Sequence, residues 1–331
     1  MENNKTLYPI KFIPIIKEKI WGGHRLKNIL NKDIKEGVMA GESWEISSYN
    51  DDISVVSNGF LKGNTILELI EIYMGDLVGD AVYDKFGIYF PLLFKFIDAN
   101  DYLSVQVHPD DDVAMKNHNS YGKTEMWYVV DAKDDAEVIV GFNKGVTKFD
   151  YLKKLESNKL IDILNSEKVK KDDVIFLPAG RIHSTGPGIL LAEVQQTSDL
   201  TYRIYDWNRV DAEGNGRELH TELAADAIKF ENKKQYKTDF TIKKNDISNV
   251  ISCEYFTVNI LDVDKEIERD YNAIDSFIVY MVLSGELDII FSEKGDVINV
   301  KKGETILIPA VLKQVFLNTK SNAKILEIYI K

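Results

Sequence analysis

The sequence is poor in several features, and each shortage excludes something. There is one cysteine, Cys253, in 331 residues, so no internal disulfide can form and a reducing compartment is expected. Only seven prolines occur and no Pro/Ser tract, which excludes collagenous and low-complexity classes. The longest apolar stretch, Tyr89 to Ile97, contains Pro91 and Lys95 and is too short to span a bilayer. Met1 to Pro9 is polar and lacks the apolar core of a signal peptide, so a cytoplasmic protein is expected, with no membrane partner. Positive charge is in the minority. With 41 Lys and Arg against 53 Asp and Glu the net charge is −12, which argues against nucleic acid as a partner but permits a local basic pocket for a small anion. No glycine-rich phosphate loop of the Walker or Rossmann type is present.

What is present is 44% apolar residues, enough for a sizeable core and for about two domains or one large β domain with additions. Short β-branched or aromatic runs bounded by Gly, Asp or Asn read as strands: 137–141, 173–177, 189–194, 277–283, 287–291 and 305–308. Three stretches read as helices. They are Ile66 to Val82, with Thr65 as N-cap and Glu68 near a capping-box position, then Lys148 to Asn165, and Glu218 to Phe230. The polar run Glu231 to Lys237 is the best boundary, giving domains 1–235 and 236–331. A weak repeat links the two. Asp172 to His183 contains a turn, an apolar strand and Pro178-Ala179-Gly180, and Gly303 to Gln314 repeats the order with Pro309-Ala310-Val311. The second copy has Gln314 where the first has His183. Two copies of a β unit suggest two related barrels, the second stripped of a potential metal ligand.

The densest chemical signal is Leu103-Ser104-Val105-Gln106-Val107-His108-Pro109-Asp110. On a strand, Gln106 and His108 point to one face, and burying both among valines is costly unless they find partners. A hydrogen-bonded core pair and a metal site both meet that demand. Glu125, in Gly122-Lys123-Thr124-Glu125-Met126-Trp127, and His183 extend the set to one amide, two imidazoles and a carboxylate. Nitrogen and hard oxygen donors without sulfur suit zinc rather than copper(I) or an iron–sulfur cluster. Lys95, flanked by Phe94 and Phe96, reads as buried and so in need of a partner or an anionic ligand. Lys123 precedes Glu125 by two residues, and Arg203 lies in Thr201-Tyr202-Arg203-Ile204-Tyr205-Asp206. A pair with Asp206 or Glu193 is the bland expectation for Arg203. Three cations beside a divalent metal fit a small phosphorylated substrate. His24, His118 and His220 read as structural or exposed, with His24 a candidate for a pocket mouth. Cys253 reads as a buried apolar residue. Asp110 to Asp112 lacks the glycine and glutamate of a calcium loop.

In this order the segments Pro91 to Ala99, Leu103 to Asp110, Gly122 to Tyr128, Pro178 to His183 and Thr201 to Asp206, with Trp21-Gly22-Gly23 and Gly41 to Ser47, resemble the type I mannose-6-phosphate isomerases of the cupin superfamily, in their short bacterial form. The resemblance implies a mainly β protein of two cupin-like jelly-roll barrels with a few short helices. It implies one zinc ion per chain on Gln106, His108, Glu125 and His183. It places an active-site arginine at Arg203, pocket lysines at Lys95 and Lys123, and a proton-transfer carboxylate at Glu193. It also implies a cytoplasmic monomer or homodimer without the long helical insertion of the larger enzymes and without a nucleotidyltransferase domain.

The implied reaction interconverts mannose 6-phosphate and fructose 6-phosphate. A base takes the C2 proton of the open sugar to give a cis-enediolate, and the proton returns at C1. Glu193 is the first candidate for the base and a zinc-bound hydroxide the second. The alternatives are a metal-dependent cupin dioxygenase and a non-catalytic sugar-phosphate sensor.

Overall fold

The computed structural model describes all residues except 1–5, 211, 212, 232 and 234. Part of the polar stretch Met1 to Pro9 and part of the Glu231 to Lys237 boundary therefore lie outside the described residues. The described chain is mainly β. The sheets are sandwiches of facing sheets, jelly-roll-like rather than closed barrels. In the N-terminal roll a six-stranded sheet runs in the order 174–177, 125–132, 189–196, 92–99, 40–46, 15–23. It faces a five-stranded sheet ordered 164–168, 137–142, 183–185, 105–107, 202–205. The C-terminal roll pairs a six-stranded sheet (10–11, 305–308, 278–284, 323–329, 257–263, 248–252) with a four-stranded one (267–270, 314–318, 286–290, 297–301). The strand Ile10–Lys11 crosses over to pair with Ile306 and Leu307 of the second roll.

Residue alternation explains how the rolls meet. Along the strands Leu92–Ala99, Glu125–Ala132 and Ile189–Gln196 the even positions Phe94, Phe96, Met126, Tyr128, Leu190, Ala192 and Val194 join one apolar core. That core also takes Val258, Ile260, Val279, Met281, Leu326 and Ile328 from the second roll, so the two large sheets pack back to back. The odd positions Ile97, Trp127, Val129, Ile189 and Leu191 turn the other way, into the interior of the first roll. Both faces of these strands are covered, so they read as continuous apolar runs with a few buried polar interruptions.

The helices are shorter than their sequence patterns predict. The first is Ile66–Val78, with the expected Thr65/Glu68 capping box, and Asp80–Phe86 follows after a break at Gly79. Gly79 has φ +95, a conformation that ends a helix and that a side chain would resist. Lys148–Glu156 stops two residues before Asn158, whose φ is +53, and the remainder forms a short 3₁₀ turn and the strand Leu164–Lys168. Glu218 to Phe230 shrinks to Thr221–Ala227. Asp111–His118 is an additional helix, capped by the Asp110 carboxylate, which accepts from Val113 N.

Candidate active site

The odd-numbered inner face of the six-stranded sheet carries Lys95, Glu125 and Glu193. Glu193 is registered opposite Lys95 on one neighbouring strand and Trp127 on the other. Across the interior, Gln106 is registered opposite His183 and Arg203 in the five-stranded sheet. The strand ends at Val107, so His108 sits just past it and turns into the same space.

His108, Glu125 and His183 are buried, and their ligand atoms lie within 4.8 Å of one another. His108 Nε2 is 3.4 Å from Glu125 Oε2 and His183 Nε2 is 3.3 Å from Glu125 Oε1. The far nitrogen of each ring faces a backbone carbonyl. His108 Nδ1 is 2.7 Å from Leu200 O, and His183 Nδ1 is 2.9 Å from Arg181 O. A neutral ring must donate from Nδ1 to such an acceptor, which aims the lone pair of Nε2 inward. Burial holds both imidazoles neutral, His183 down to about 3 and His108 in the same direction. Burial alone would raise the Glu125 carboxyl, but the opposing influences, the Lys123 charge first among them, hold it well below the usual carboxylate range. Lys123 Nζ is 3.2 Å from Glu125 Oε2. His108 Nε2 and both Glu125 oxygens are nevertheless buried without a hydrogen bond. Orphaned polar atoms of this kind cost on the order of 1–3 kcal/mol each unless something fills the space between them. Two neutral imidazoles and a carboxylate aimed at one point fit a divalent metal. Gln106 lies 3.3 Å from His183 Nε2, and its amide, turned over, offers a fourth donor.

Next to this cluster opens a cleft of about 250 Å³ whose walls include Lys95, Lys123, Glu193, Asp199, Arg203 and His220. Lys95 is 2% exposed on an interior strand, as its apolar flanks predict, and not at a sheet edge. Its Nζ is 3.4 Å from Glu193, 3.5 Å from Asp199 and 3.9 Å from Glu42, and lies over the Trp44 ring. Burial would lower its pKa, but Glu193, Asp199 and Glu42 together raise it, so it stays a cation. Glu193 Oε2 accepts from Trp127 Nε1 at 2.7 Å, while Oε1 is buried with no hydrogen bond. Burial first, then the charge of Glu125, pushes the Glu193 carboxyl up against the pull of Lys95.

Arg203 forms neither bland pair. Asp206 is taken by Arg209 and Arg217, at 2.6 and 2.7 Å. Arg203 Nη1 donates to Glu218 O, and its Nε is buried and unpartnered. Sequence reasoning missed Glu42, Asp199 and the cleft position of His220. Glu42 carried a signal: it alternates with Trp44 on a buried strand and accepts from its Nε1. His220 Nδ1 accepts from Arg203 N. His24 is exposed and does not line the cleft.

Two facing-sheet rolls, one enclosing a His–Glu–His candidate metal site, define a double cupin. The profile of the type I phosphomannose isomerase catalytic domain matches residues 10–158, and that of the mannose-6-phosphate isomerase cupin domain matches residues 245–329. The mannose-6-phosphate isomerase ManA of Bacillus subtilis is 36% identical over 92% of this chain and 94% of its own length. A mannose-6-phosphate isomerase of Streptococcus mutans is 34% identical over 89% of this chain and 90% of its own. The crystal structure of a Bacillus subtilis mannose 6-phosphate isomerase superposes with a TM-score of 0.87 at 32% identity, covering 98% of this chain and all of that one. The chain belongs to the type I phosphomannose isomerase family, and its enzyme class is mannose-6-phosphate isomerase. The catalytic-domain profile ends before His183, Glu193 and Arg203, so the placement of these three rests on the geometry above.

Proposed function

We propose that this chain interconverts mannose 6-phosphate and fructose 6-phosphate as a zinc enzyme, through a cis-enediolate. The observation that carries the reading is the set of buried donor atoms on His108 and Glu125 that make no hydrogen bond among the described residues, beside a buried carboxylate, Glu193, in the same cleft. Gln106, His108, Glu125 and His183 would hold one zinc ion per chain. The ion, when bound, supplies Lewis-acid stabilisation of oxygen atoms that gain charge as the C–H bond breaks.

The chain's own groups do the rest. Glu193 is the general base that takes the C2 proton and returns it at C1. Its Oε1, which makes no hydrogen bond and lies 3.4 Å from Lys95 Nζ, is the atom for that task, and burial brings its pKa closer to working pH. Trp127 holds the other oxygen and so fixes the carboxylate plane. Lys95, kept cationic by three carboxylates, stabilises Glu193 in its ionised form before the proton is taken. Lys123 and Arg203 face the sugar phosphate. Arg203 is the better phosphate partner because among the described residues its guanidinium has no carboxylate partner, whereas Lys95 and Lys123 already have theirs. The same reading carries a cytoplasmic monomer or homodimer. It divides the chain into a catalytic part, 1–235, and a C-terminal part, 236–331. Among the described residues no helix is long and apolar enough to cross a membrane.

The test is a coupled assay with mannose 6-phosphate before and after chelation, with zinc added back, run also in deuterated water. Turnover lost on chelation, restored by zinc and accompanied by solvent deuterium in the product is the expected result. Turnover without solvent exchange would replace proton transfer by a hydride shift. A metal-loaded protein that binds the sugar phosphate without turnover, or that consumes oxygen with ferrous iron, would overturn the isomerase reading.

A further inference from the structure

Asp111 opens the helix Asp111–His118, three residues after His108. Its Oδ1 accepts from Gly122 N at 2.7 Å and from Gln196 Nε2 at 3.0 Å. Its Oδ2 accepts from the hydroxyl of Tyr255 at 2.8 Å. Gln196 in turn accepts from Thr124 N on Oε1 at 2.8 Å, and its backbone N–H donates to Thr124 O. One carboxylate therefore ties together the chain leaving His108, the segment 122–125 that carries Lys123 and Glu125, and the end of the strand that carries Glu193. The tie has little slack. A side chain on Gly122 would meet the backbone of Asp110 and Asp111 at 2.6 Å, so the segment lies directly against the helix start. Tyr255 comes from the other roll, in the turn between the strands Ser248–Ser252 and Thr257–Val263. Asp111, Gln196 and Tyr255 line a separate cavity of about 360 Å³ and not the substrate cleft, so whatever they do to catalysis they do through other residues.

We propose that Asp111 is a positioning residue for Lys123 and Glu125, and that the Tyr255 hydroxyl of the C-terminal roll holds it in place, so that the second roll acts on the site through one hydrogen bond. This rests on the isomerase reading for its kinetic consequence, but not for its effect on the metal ligands. Groups that hydrogen-bond a metal ligand directly are worth about 10- to 100-fold in metal affinity or activity, and Asp111, which reaches Glu125 only through the backbone at Gly122 and through Gln196, belongs at or below the low end of that range. Displacing a reacting group by about 1 Å costs a comparable factor.

The experiment uses zinc-loaded full-length protein and the variants Asp111→Ala, Asp111→Asn and Tyr255→Phe. For each, kcat and KM for mannose 6-phosphate, the rate of zinc release to a chromogenic chelator, and the thermal midpoint are measured. Asp111→Ala is expected to lower kcat by up to about 10-fold and to speed zinc release, with KM little changed. Tyr255→Phe, which keeps the ring and its packing, is expected to show the same pattern at a few-fold. Asp111→Asn is expected to recover most of both, because its Oδ1 still accepts from Gly122 and Gln196. Wild-type kcat and zinc release in Asp111→Ala and Tyr255→Phe would overturn the proposal. So would a loss of kcat that vanishes when rates are normalised to folded protein. If the wild-type enzyme fails to turn over mannose 6-phosphate while zinc release still accelerates in the variants, the isomerase reading falls and the positioning role stands.

Discussion

Glu193 and Glu327 occupy matching places in the two rolls. Each lies on a middle strand of a six-stranded sheet, inner face, between two cross-strand neighbours: Lys95 and Trp127 for Glu193, Asn259 and Tyr280 for Glu327. The strand 174–177 leading to Pro178 and the strand 305–308 leading to Pro309 occupy matching positions as well, as the repeat predicts. The chemistry differs. Glu327 is fully buried and its oxygens are saturated: Asn259 Nδ2 and Arg269 Nη2 donate to Oε1 at 3.0 Å each, and Arg269 Nε and the Tyr271 hydroxyl donate to Oε2 at 2.8 and 2.7 Å. Glu193 keeps one oxygen without a hydrogen bond, 3.4 Å from the Lys95 ammonium, beside a cluster with further atoms that lack one. A buried polar network that satisfies itself has nothing left to offer a ligand. One left open leaves polar groups unsatisfied, and here they converge on one point. The turn explains part of the divergence. Gly180 adopts φ +89, which Val311 would resist, and Gln314, the counterpart of His183, lies exposed on a strand and donates to Glu268.

The largest expected effect comes from breaking the open site. His183→Ala is expected to lower kcat by roughly a thousandfold or more, since Lewis-acid stabilisation is worth several kcal/mol. The metal-free protein should lose less stability than on breaking the closed network, because no charged group is stranded: what goes are the contacts of the neutral ring to Arg181 O and Gln106. Kinetics and melting of chelated samples check both halves.

Breaking the closed network should do the reverse. Glu327→Ala strands the Arg269 guanidinium, and removal of one member of a buried pair costs roughly 3–5 kcal/mol. The double replacement Glu327→Leu with Arg269→Met is expected to recover most of that. In both, kcat per folded molecule should stay at wild type. Denaturant titration and assay on the soluble fraction decide it.

A pH series sharpens the contrast further. All five histidines lie at or before His220, so the C-terminal roll contributes none. In the metal-free protein the folded pKa of His183 is depressed to about 3 from 6.5, and that of His108 is lowered too. The unfolded chain gains protons on these rings as pH falls below about 6.5 and the folded chain does not. Their stabilisation is complete above that pH and drains away as pH falls towards the folded values, by about 1.4 kcal/mol per pH unit per ring. Melting of chelated protein from pH 7 to pH 5 should show this slope, and His183→Ala should flatten it. An unchanged slope would mean that the ring does not titrate as its burial demands.

Much of this was legible in the chain. Period-two alternation with polar interruptions marks Gln106, Glu125 and Lys95, and burial of the polar interruptions follows from their apolar neighbours. The long-range partners were not legible. Asp206 is three residues from Arg203, yet tertiary contacts give it to Arg209 and Arg217. Asp199 sits in a loop whose path only the packed roll defines, so its approach to Lys95 has no sequence signal. The helix Asp111–His118 was hidden by its polar composition, although Asp110 before it and Asn119 after it, at φ +50, are ordinary cap residues. The role of the second roll was least visible, because it acts by contacts between parts far apart in sequence.

One such contact gives the smallest effect. The carboxylate of Asp275 in the C-terminal roll accepts from Asp80 N and Ala81 N, both at 2.9 Å, and so caps the helix Asp80–Phe86 from outside its own chain segment. The neighbouring backbone joins in: Ala310 N and Val311 N donate to Leu77 O and Asp76 O, and Phe277 N donates to Val78 O. In the second roll the Pro-Ala turn thus holds a helix end, whereas in the first it leads to His183. Removal of a helix cap costs about 1 kcal/mol, so Asp275→Ala should lower stability by that amount and Asp275→Asn by less. Neither touches the cleft, so kcat and KM should not move. If Asp275→Ala changed kcat while the melting curve stayed put, the helix pair would have to belong to the catalytic unit, and the division of labour between the open and the closed roll would need redrawing.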